Sequence, residues 1–223
     1  GTGKTTLVNV LTGFQTPTEG AVTLDGVTLN LKASETIDTL TTHNLLAKIT
    51  GSERPNETIV YSAHWDHLGI GLPDAKGDRI YNGAVDNATG IAALLELARV
   101  YAAAPAPQRS VMFLAVTAEE KGLLGSEYYA SNPVYPLART VGVLNMDALD
   151  PHGKARDFTI SGSAKLDLLD RLVAKARMAK LSFSPDPKPE AGHFFRSDHF
   201  SFAKQGVPAI SFRSGIDWEQ DGV

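Results

Sequence analysis

Cysteine is absent from the 223 residues of the chain. Without thiols, the chain cannot form disulfide bonds, thiolate zinc fingers, iron–sulfur clusters or cysteine nucleophiles, so any metal must bind to His, Asp or Glu. Long hydrophobic runs are also missing, because the longest, such as residues 111–116, are far shorter than the roughly 20 residues of a membrane-spanning helix. The sequence therefore predicts a chain with neither a membrane span nor a thiol-based site.

Basic residues are also fewer than acidic residues. Lysine and arginine number 21 against 25 aspartates and glutamates, which gives a formal net charge of −4. No local basic patch stands out, so we expect neither nucleic acid nor a membrane surface as a partner. With 43% apolar residues, the chain is long enough for one large domain or two small ones around a real core.

From about residue 56 onward, short apolar runs alternate with helical patterns, which is typical of an α/β domain. The predicted strands are residues 58–63, 110–117, 140–146, 158–161 and 208–212, the predicted helices are residues 89–103 and 164–180, and a proline-rich loop is expected at residues 183–192. The alternation predicts a largely parallel or mixed sheet with helices packed on it.

Residues 1–26 depart from this alternation. GTGKTT at 1–6 is typical of the second half of a phosphate-binding loop, in which Gly3, Lys4 and Thr5 would contact phosphates. The whole stretch resembles the opening of an ABC transporter ATPase subunit, yet no signature motif of that family follows. We therefore expect a non-functional fragment here, and an ATP-binding module stays open as an alternative function.

Imidazole and carboxylate side chains follow the predicted strands, at the edge where α/β sheets build their sites. In chain order they are His64 and Asp66, Asp86, Glu119 and Glu120, and Asp147. Each has an ordinary explanation on its own, as a hydrogen-bonded pair, a helix cap, a solvated turn or a loop cap. Together they would bury like charges side by side unless a cation held them, so the pattern predicts a metal site.

Four segments, in this order, resemble the co-catalytic zinc aminopeptidase family, which also contains glutamate carboxypeptidase and the zinc glutaminyl cyclases. They are SAHWDH at 62–67, GAVDN at 83–87, TAEE at 117–120 and NMD at 145–147. SDHF at 197–200 and GVPA at 206–209 match as well, so the resemblance spans about residues 41–212. It implies a three-layer zinc exopeptidase architecture, with a mixed, largely parallel sheet flanked by helices.

The resemblance also implies which residues bind metal. His64 and Asp147 would bind one zinc ion, Glu120 would bind a second, and Asp86 would bridge both. The family takes one more histidine for the second ion from a Tyr-His motif after the SDHF segment, and these 223 residues end without it. We therefore expect two zinc ions, the second incompletely bound, in a peptidase domain over residues 27–223 that is truncated at its C-terminus.

Two further roles follow from the same resemblance. Asp66 would accept a hydrogen bond from the His64 imidazole and fix its tautomer, and Glu119 would be the general base that serves a metal-bridging water. His199 is interpreted as a structural histidine. The other histidines are interpreted as surface or packing residues: His43, His67, His152 and His193.

The expected activity is hydrolysis of a peptide bond, most commonly in this family at a substrate with a free N-terminus. Dipeptidase, carboxypeptidase and cyclase members share these ligands, so those activities stay open. A non-catalytic, metal-depleted binding domain with the same fold is a further alternative. The kinship suggests an exported, periplasmic or extracellular protein, although the sequence shows no signal peptide.

Overall fold

The structure is a computed structural model that describes residues 21–24, 27–30, 39–151, 153–163, 166–215 and 217–218. The chain divides into two compact units, Gly1–Thr41 and Thr42–Val223. In the first unit, strands β1 (Ala21–Leu24) and β2 (Val27–Asn30) pair antiparallel. The predicted phosphate-loop residues Gly3, Lys4 and Thr5 lie outside the described residues.

A mixed seven-stranded sheet is the centre of the second unit. The strands of this unit are β3 (Leu45–Ile49), β4 (Arg54–His64), β5 (Gly69–Ile70), β6 (Ile80–Tyr81), β7 (Arg109–Val116), β8 (Thr140–Met146), β9 (Asp157–Ile160), β10 (Ser182–Phe183) and β11 (Ala209–Ser214). The sheet order is β10-β9-β11-β8-β4-β7-β3, while β5 and β6 form a separate hairpin. Strands β11, β8, β4 and β7 run parallel to one another, whereas β3 pairs antiparallel with β7, and β9 pairs antiparallel with β11.

Among the described residues, four helices cover the sheet: α1 (Ala88–Ala103), α2 (Leu124–Ser131), α3 (Asp167–Met178) and α4 (His199–Ala203). The central strands bury both faces, so β7 is apolar almost throughout rather than alternating. Val111 and Phe113 of β7 pack with Leu94 of α1, whereas Met112 and Leu114 pack on the opposite face. That opposite face is covered by α2 and α4, which contribute Tyr129 and Phe202 to the core. The result is the three-layer arrangement that the sequence predicts.

The apolar stripe of α3 faces a smaller core. Leu169 and Ala176 are buried, and Leu172 and Val173 pack beside them against Ile160 and Ile210. The helix begins at residue 167, inside the predicted 164–180, and residues 164 and 165 lie outside the described part of the chain. None of the described helices is both long and apolar enough to cross a membrane.

All five predicted strands are confirmed within a few residues of their ends, as is the helix expected at 89–103. The loop expected at 183–192 is wrong in part, because β10 pairs with β9 up to Phe183 and Pro189–Ala191 forms a 3-10 turn. Strand β3 and helices α2 and α4 carry no prediction. Each is short, and without a full period of apolar residues it gives little signal in the sequence.

Candidate metal centre

Three parallel strands end side by side and bring the predicted metal ligands together. Strand β4 ends at His64, Glu119 and Glu120 follow β7, and Asp147 directly follows β8. Asp86 comes from the turn before α1, and its Oδ1 lies 3.1 Å from His64 Nε2. The structure thus gathers the four predicted ligands and Glu119 at one edge of the sheet, as expected for carboxyl ends of parallel strands.

His64 is held from both sides of its ring. The side chain is 1% exposed, and its Nε2 lies 3.2 Å from Asp147 Oδ1. On the other side, Nδ1 lies 3.0 Å from the backbone carbonyl oxygen of Asp66. Because a carbonyl can only accept, Nδ1 carries the proton. When His64 is neutral, the lone pair of Nε2 therefore points towards the carboxylates, and this is the form that binds a metal ion.

The Asp66 carboxylate has different hydrogen-bond partners from the one that the sequence predicts. Its carboxylate Oδ1 is 3.7 Å from His64 Nδ1, beyond hydrogen-bond distance, and the backbone carbonyl of the same residue takes that place. The carboxylate instead accepts hydrogen bonds from the backbone N–H groups of Glu119, at 3.0 Å, and Glu120, at 3.2 Å. The chain turns just after β4, so the carbonyl faces the ring and the side chain reaches the next strand end. Asp66 thus positions the Glu119–Glu120 segment.

Asp147 is fixed by a buried chain of hydrogen bonds. Ser197 Oγ donates to Asp147 Oδ2 at 2.7 Å, and Asn145 Nδ2 donates to Ser197 Oγ at 2.7 Å. Ser62 Oγ in turn donates to Asn145 Oδ1 at 2.7 Å. All three supporting residues are buried, so their partners leave them little freedom. This network orients the carboxylate that faces His64.

The turn that carries Asp86 is tied to the end of β8. The Asp86–Asn87 peptide bond is cis. The Asn87 side chain donates to the Met146 carbonyl at 3.0 Å and accepts from the N–H groups of Gly90 and Ala148. A Cβ at Gly90 would lie 2.3 Å from Asn87 Oδ1 and 2.5 Å from the Met146 carbonyl oxygen. Only glycine fits there, and this close packing sets the place of Asp86 relative to the sheet.

The side chains form two groups that could each hold a metal ion. His64, Glu119 and Asp147 form the first ligand group, and His67, Asp86 and Glu120 form the second ligand group. In each group, the potential ligand atoms lie within 4.8 Å of one another. Since Asp86 Oδ1 also contacts His64, one carboxylate lies between the two groups.

His67 is a further histidine that the structure places beside the predicted ligands. A surface or packing role is expected for it, yet its Nδ1 lies 2.7 Å from Glu120 Oε1, and the side chain is 23% exposed. The signal was a second imidazole three residues after His64, just beyond the same strand end. Of the other histidines, His43 and His193 are exposed, and His152 lies outside the described residues.

The residues present fit zinc. Imidazole nitrogens and carboxylate oxygens are its usual ligands when thiolates are absent. Among the described residues, His67 Nδ1 and Asp86 Oδ1 are buried without a hydrogen-bond partner. His67 Nδ1 and Glu120 Oε1 therefore approach closely without the alignment of a hydrogen bond. Such converging lone pairs are what a bound cation would satisfy.

The raised pKa values of two side chains in the metal-free chain also indicate that this cluster favours bound positive charge. Burial lowers the pKa of His64, but the hydrogen bond and charge of Asp147 outweigh it and raise that pKa to about 10. Burial raises the pKa of Glu119 to about 8, with the charges of Asp198 and Asp147 adding to it and His64 opposing it. Protons therefore occupy the crowded carboxylate and imidazole groups when no other cation is present.

Asp198 and His199 lie buried behind the centre. Burial raises the pKa of Asp198 to about 7 and lowers the pKa of His199 to about 4. The His199 ring packs edge-on against Phe194, with 4.9 Å between ring centroids. Neither side chain has a well-formed hydrogen bond to a described residue. The structural role expected for His199 stays a prediction.

Comparison with known proteins places this geometry in a family. Residues 44–221 match the profile of Peptidase family M28. A probable zinc metalloprotease of Pyrenophora teres f. teres is 36% identical over 130 residues, covering 56% of this chain and 26% of that protein. Leupeptin-inactivating enzyme 1 of Streptomyces exfoliatus is 30% identical over 180 residues, covering 80% of this chain and 37% of that protein. The chain thus spans between a quarter and two fifths of the length of these relatives.

Solved structures give the same result for the fold. The aminopeptidase from Aneurinibacillus sp. strain AM-1 is similar with a TM-score of 0.59 and 27% identity, over 78% of this chain and 39% of that one. The glutaminyl cyclase of Bacteroides thetaiotaomicron, at 18% identity, shares the fold with a TM-score of 0.58 over 93% of this chain and 74% of its own. The resemblance on which the predicted site rests is confirmed: the chain belongs to peptidase family M28.

Proposed function

We propose that the chain is the metal-binding part of a zinc-dependent exopeptidase, most similar to aminopeptidases, that hydrolyses a peptide bond at a free N-terminus. The observation that supports this proposal most strongly is the pair of ligand groups that meet at Asp86. A single carboxylate between two sets of ligands is suited to two metal ions held close together. The named relatives, zinc metalloproteases and an aminopeptidase, agree with it.

In the proposed site, His64 and Asp147 would hold one zinc ion and Glu120 would hold the other, and the Asp86 carboxylate would be available to both. His67 supplies the imidazole of the second ligand group, because its Nδ1 lies beside Glu120 and has no hydrogen-bond partner among the described residues. The family resemblance implies a further histidine for this second ion, from a Tyr-His motif.

When bound, zinc supplies Lewis acidity that activates water and polarises the carbonyl of the scissile bond. Glu119 belongs to the first ligand group and is free of a side-chain hydrogen bond among the described residues, so its carboxylate is available to move protons. It accepts the proton of the attacking water and delivers it to the leaving amine. A neighbouring positive charge lowers the pKa of a carboxyl group, so Glu119 is ionised in the loaded protein.

The residues around Glu119 hold it in place for this task. Asp66 accepts the N–H groups of Glu119 and Glu120 through both carboxylate oxygens, which fixes the backbone of the segment. Ala118, directly before it, adopts a positive φ of 53°, a conformation that is unfavourable for alanine. Strain of this kind persists where surrounding contacts over-determine the backbone.

The alternatives are less well supported. An ATP-binding module would depend on Gly3, Lys4 and Thr5, which lie outside the described residues, and neither the family match nor the named relatives point to an ATPase. A non-catalytic binding domain would have no need for Glu119 in addition to the ligands. Export remains a prediction from kinship.

Replacement of Glu119 by Gln tests the proposal directly. In the zinc-loaded chain, Glu119→Gln should lower hydrolysis of an aminoacyl chromogenic substrate by about 100-fold or more, since it removes the general base but keeps the shape of the side chain. Zinc content, measured by atomic absorption, should not change. Glu53→Gln, an exposed change of the same kind, is the control. Full activity of Glu119→Gln would overturn the mechanism.

A further inference from the structure

A cavity beside the metal centre carries an unexpected concentration of basic side chains. It has a volume of about 180 Å³ and opens next to Asp86 and Asp147. Its wall also includes Arg196, Arg213 and His193. The two aspartates are themselves proposed metal ligands, so bound cations would neutralise them. What then remains in the wall is positive charge.

A second cavity, of about 480 Å³, continues from the first and shares Ala148, His193 and Arg213 with it. Part of its wall is apolar, as at Val85 and Ile160. This volume is large enough for an amino-acid side chain. Arg213 therefore lies at the junction between the metal centre and a chamber that can accept part of a substrate.

Arg213 is placed there by the sheet. It lies on β11 opposite Thr159 of the antiparallel neighbour β9, close to the carboxyl end of β11. Its side chain is half-buried, and its guanidinium has neither a hydrogen bond nor an ion pair with any residue that the structure describes. A guanidinium has five N–H donors in a rigid fork, and leaving them unpaired at a half-buried site is unfavourable.

Two aspartates that feel the charge of Arg213 use their oxygens elsewhere, and a third, Asp150, also lines the second cavity. Asp147 uses its oxygens towards His64 and Ser197. Asp186 accepts from the backbone N–H of Gly162 at 2.6 Å, and its other oxygen accepts from the N–H of Lys188 at 2.9 Å. The positive charge of Arg213 acts on both aspartates, but only over a distance. The fork of donors is thus free to meet an anion that enters the cavity.

We propose that Arg213 binds a carboxylate group of the substrate, so that the site prefers acidic peptides over their neutral counterparts. This inference rests on the proposed function, because the peptide must lie against the metal centre. Guanidinium and carboxylate match as two parallel hydrogen bonds, which gives geometric selectivity as well as charge. The carboxylate comes either from an acidic N-terminal side chain or from the free C-terminus of a short peptide.

The test is a binding measurement in the zinc-loaded Glu119→Gln background, in which peptides are not consumed. Two matched pairs separate the sources of the carboxylate. Glu-Leu amide against Gln-Leu amide probes the side chain, and Leu-Leu against Leu-Leu amide probes the C-terminus. Dissociation constants are measured by calorimetry for each pair. In at least one pair, the acid should bind about 10-fold or more tightly than the amide, as expected for a charge-assisted hydrogen bond.

Three further variants assign this preference to one residue. Arg213→Gln should reduce the acid-to-amide ratio to near one, and Arg213→Lys, which keeps the charge but loses the fork, should keep part of it. Arg177→Gln, the same change on the exposed side of α3, should leave the ratio as it is. If Arg213 served only to balance the charges of Asp147 and Asp186, Arg213→Gln would weaken acids and amides equally.

Equal binding of acids and amides, a preference that survives Arg213→Gln, or no binding of any of the four peptides would each overturn the inference. Failure of the proposed function is a separate result. It would appear as absent hydrolysis of neutral aminoacyl substrates by the unmodified zinc-loaded chain, whatever the binding ratio.

Discussion

The two ligand groups differ in how firmly the protein holds them. In the first ligand group, His64 is 1% exposed and Asp147 is 18% exposed, and both have hydrogen-bond partners that fix their orientation. In the second ligand group, Asp86 is 48% exposed, and His67 lacks a hydrogen-bond partner among the described residues. The first group is therefore organised before metal binds, whereas the second depends on the ion to order it.

This difference has a consequence for affinity. Outer partners that orient a ligand raise metal affinity because less freedom is lost on binding. We expect the first ligand group to bind zinc more tightly than the second. Water also screens the attraction between an exposed carboxylate and a cation, so the affinity of the second ligand group for zinc is lowered further.

His64→Ala should have the largest effect on metal binding. It removes a ligand from the first ligand group and leaves Asp147 facing Asp86 without a nitrogen between them. We expect the affinity for the tighter zinc ion to fall by more than about 100-fold, beyond the loss caused by removing an outer partner alone. Competition with a chromogenic chelator measures this affinity, with the exposed His43→Ala as control. A loss confined to the weaker ion would contradict the assignment.

Ser197→Ala should weaken binding of the same zinc ion, although Ser197 is not one of its proposed ligands. The variant removes the hydroxyl that donates to Asp147 Oδ2 and breaks the chain through Asn145. We expect about a 10-fold to 100-fold loss of affinity at the tighter position and none at the weaker one. Ser52→Ala, at an exposed serine, is the control in the same chelator competition. Equal loss at both positions would show that the network serves the whole centre.

His67→Ala should have a smaller effect, limited to the weaker ion. Water can replace the imidazole at this partly exposed position, so the expected loss of affinity is about 10-fold. The tighter ion should bind as before. A chain that binds both ions unchanged after this substitution would exclude His67 as a ligand.

The pH dependence of the metal-free chain distinguishes the first ligand group in another way. The folded pKa of His64, about 10, lies above its unfolded value of about 6.5. Its contribution to stability is thus complete below pH 6.5 and is lost as the pH rises towards 10. Glu119, whose folded pKa is also raised, to about 8, acts in the same direction.

In the presence of a chelator, the free energy of unfolding should therefore fall by on the order of 1 to 2 kcal/mol between pH 6.5 and pH 8.5. Urea denaturation followed by circular dichroism measures it. His64→Gln should reduce this dependence to the part that Glu119 contributes, and His43→Gln should leave it unchanged. Stability that rises over this range would contradict the charge distribution described for the metal-free centre.

The sequence was most informative where side chains follow strand ends. The proximity of His64, Asp86, Glu120 and Asp147 could be predicted because parallel strands bring their carboxyl ends to one edge, and the surrounding segments resemble a family. The directions in which groups point after a strand has ended could not be predicted in the same way. The course of the chain after β4 decides that Asp66 offers its carbonyl to His64 and that His67 turns towards Glu120, and neither depends on residue type alone.

The position of Arg213 beside a cavity also could not be predicted from the sequence. On its own, an arginine in a strand gives no sign of a cavity, and the antiparallel pairing of β9 with β11 that places it follows from the whole sheet. Short elements such as β3 and α2 were missed for a related reason. Their stability comes from packing against long neighbours rather than from a pattern of their own.

A zinc titration of the metal-free chain, followed by calorimetry, shows whether the two ligand groups hold separate ions. We expect two bound zinc ions with distinct affinities, and we expect Asp86→Ala to weaken binding of both because this carboxylate lies between the two groups. Binding of a single ion, or an Asp86→Ala chain that loses only one of two, would contradict this expectation.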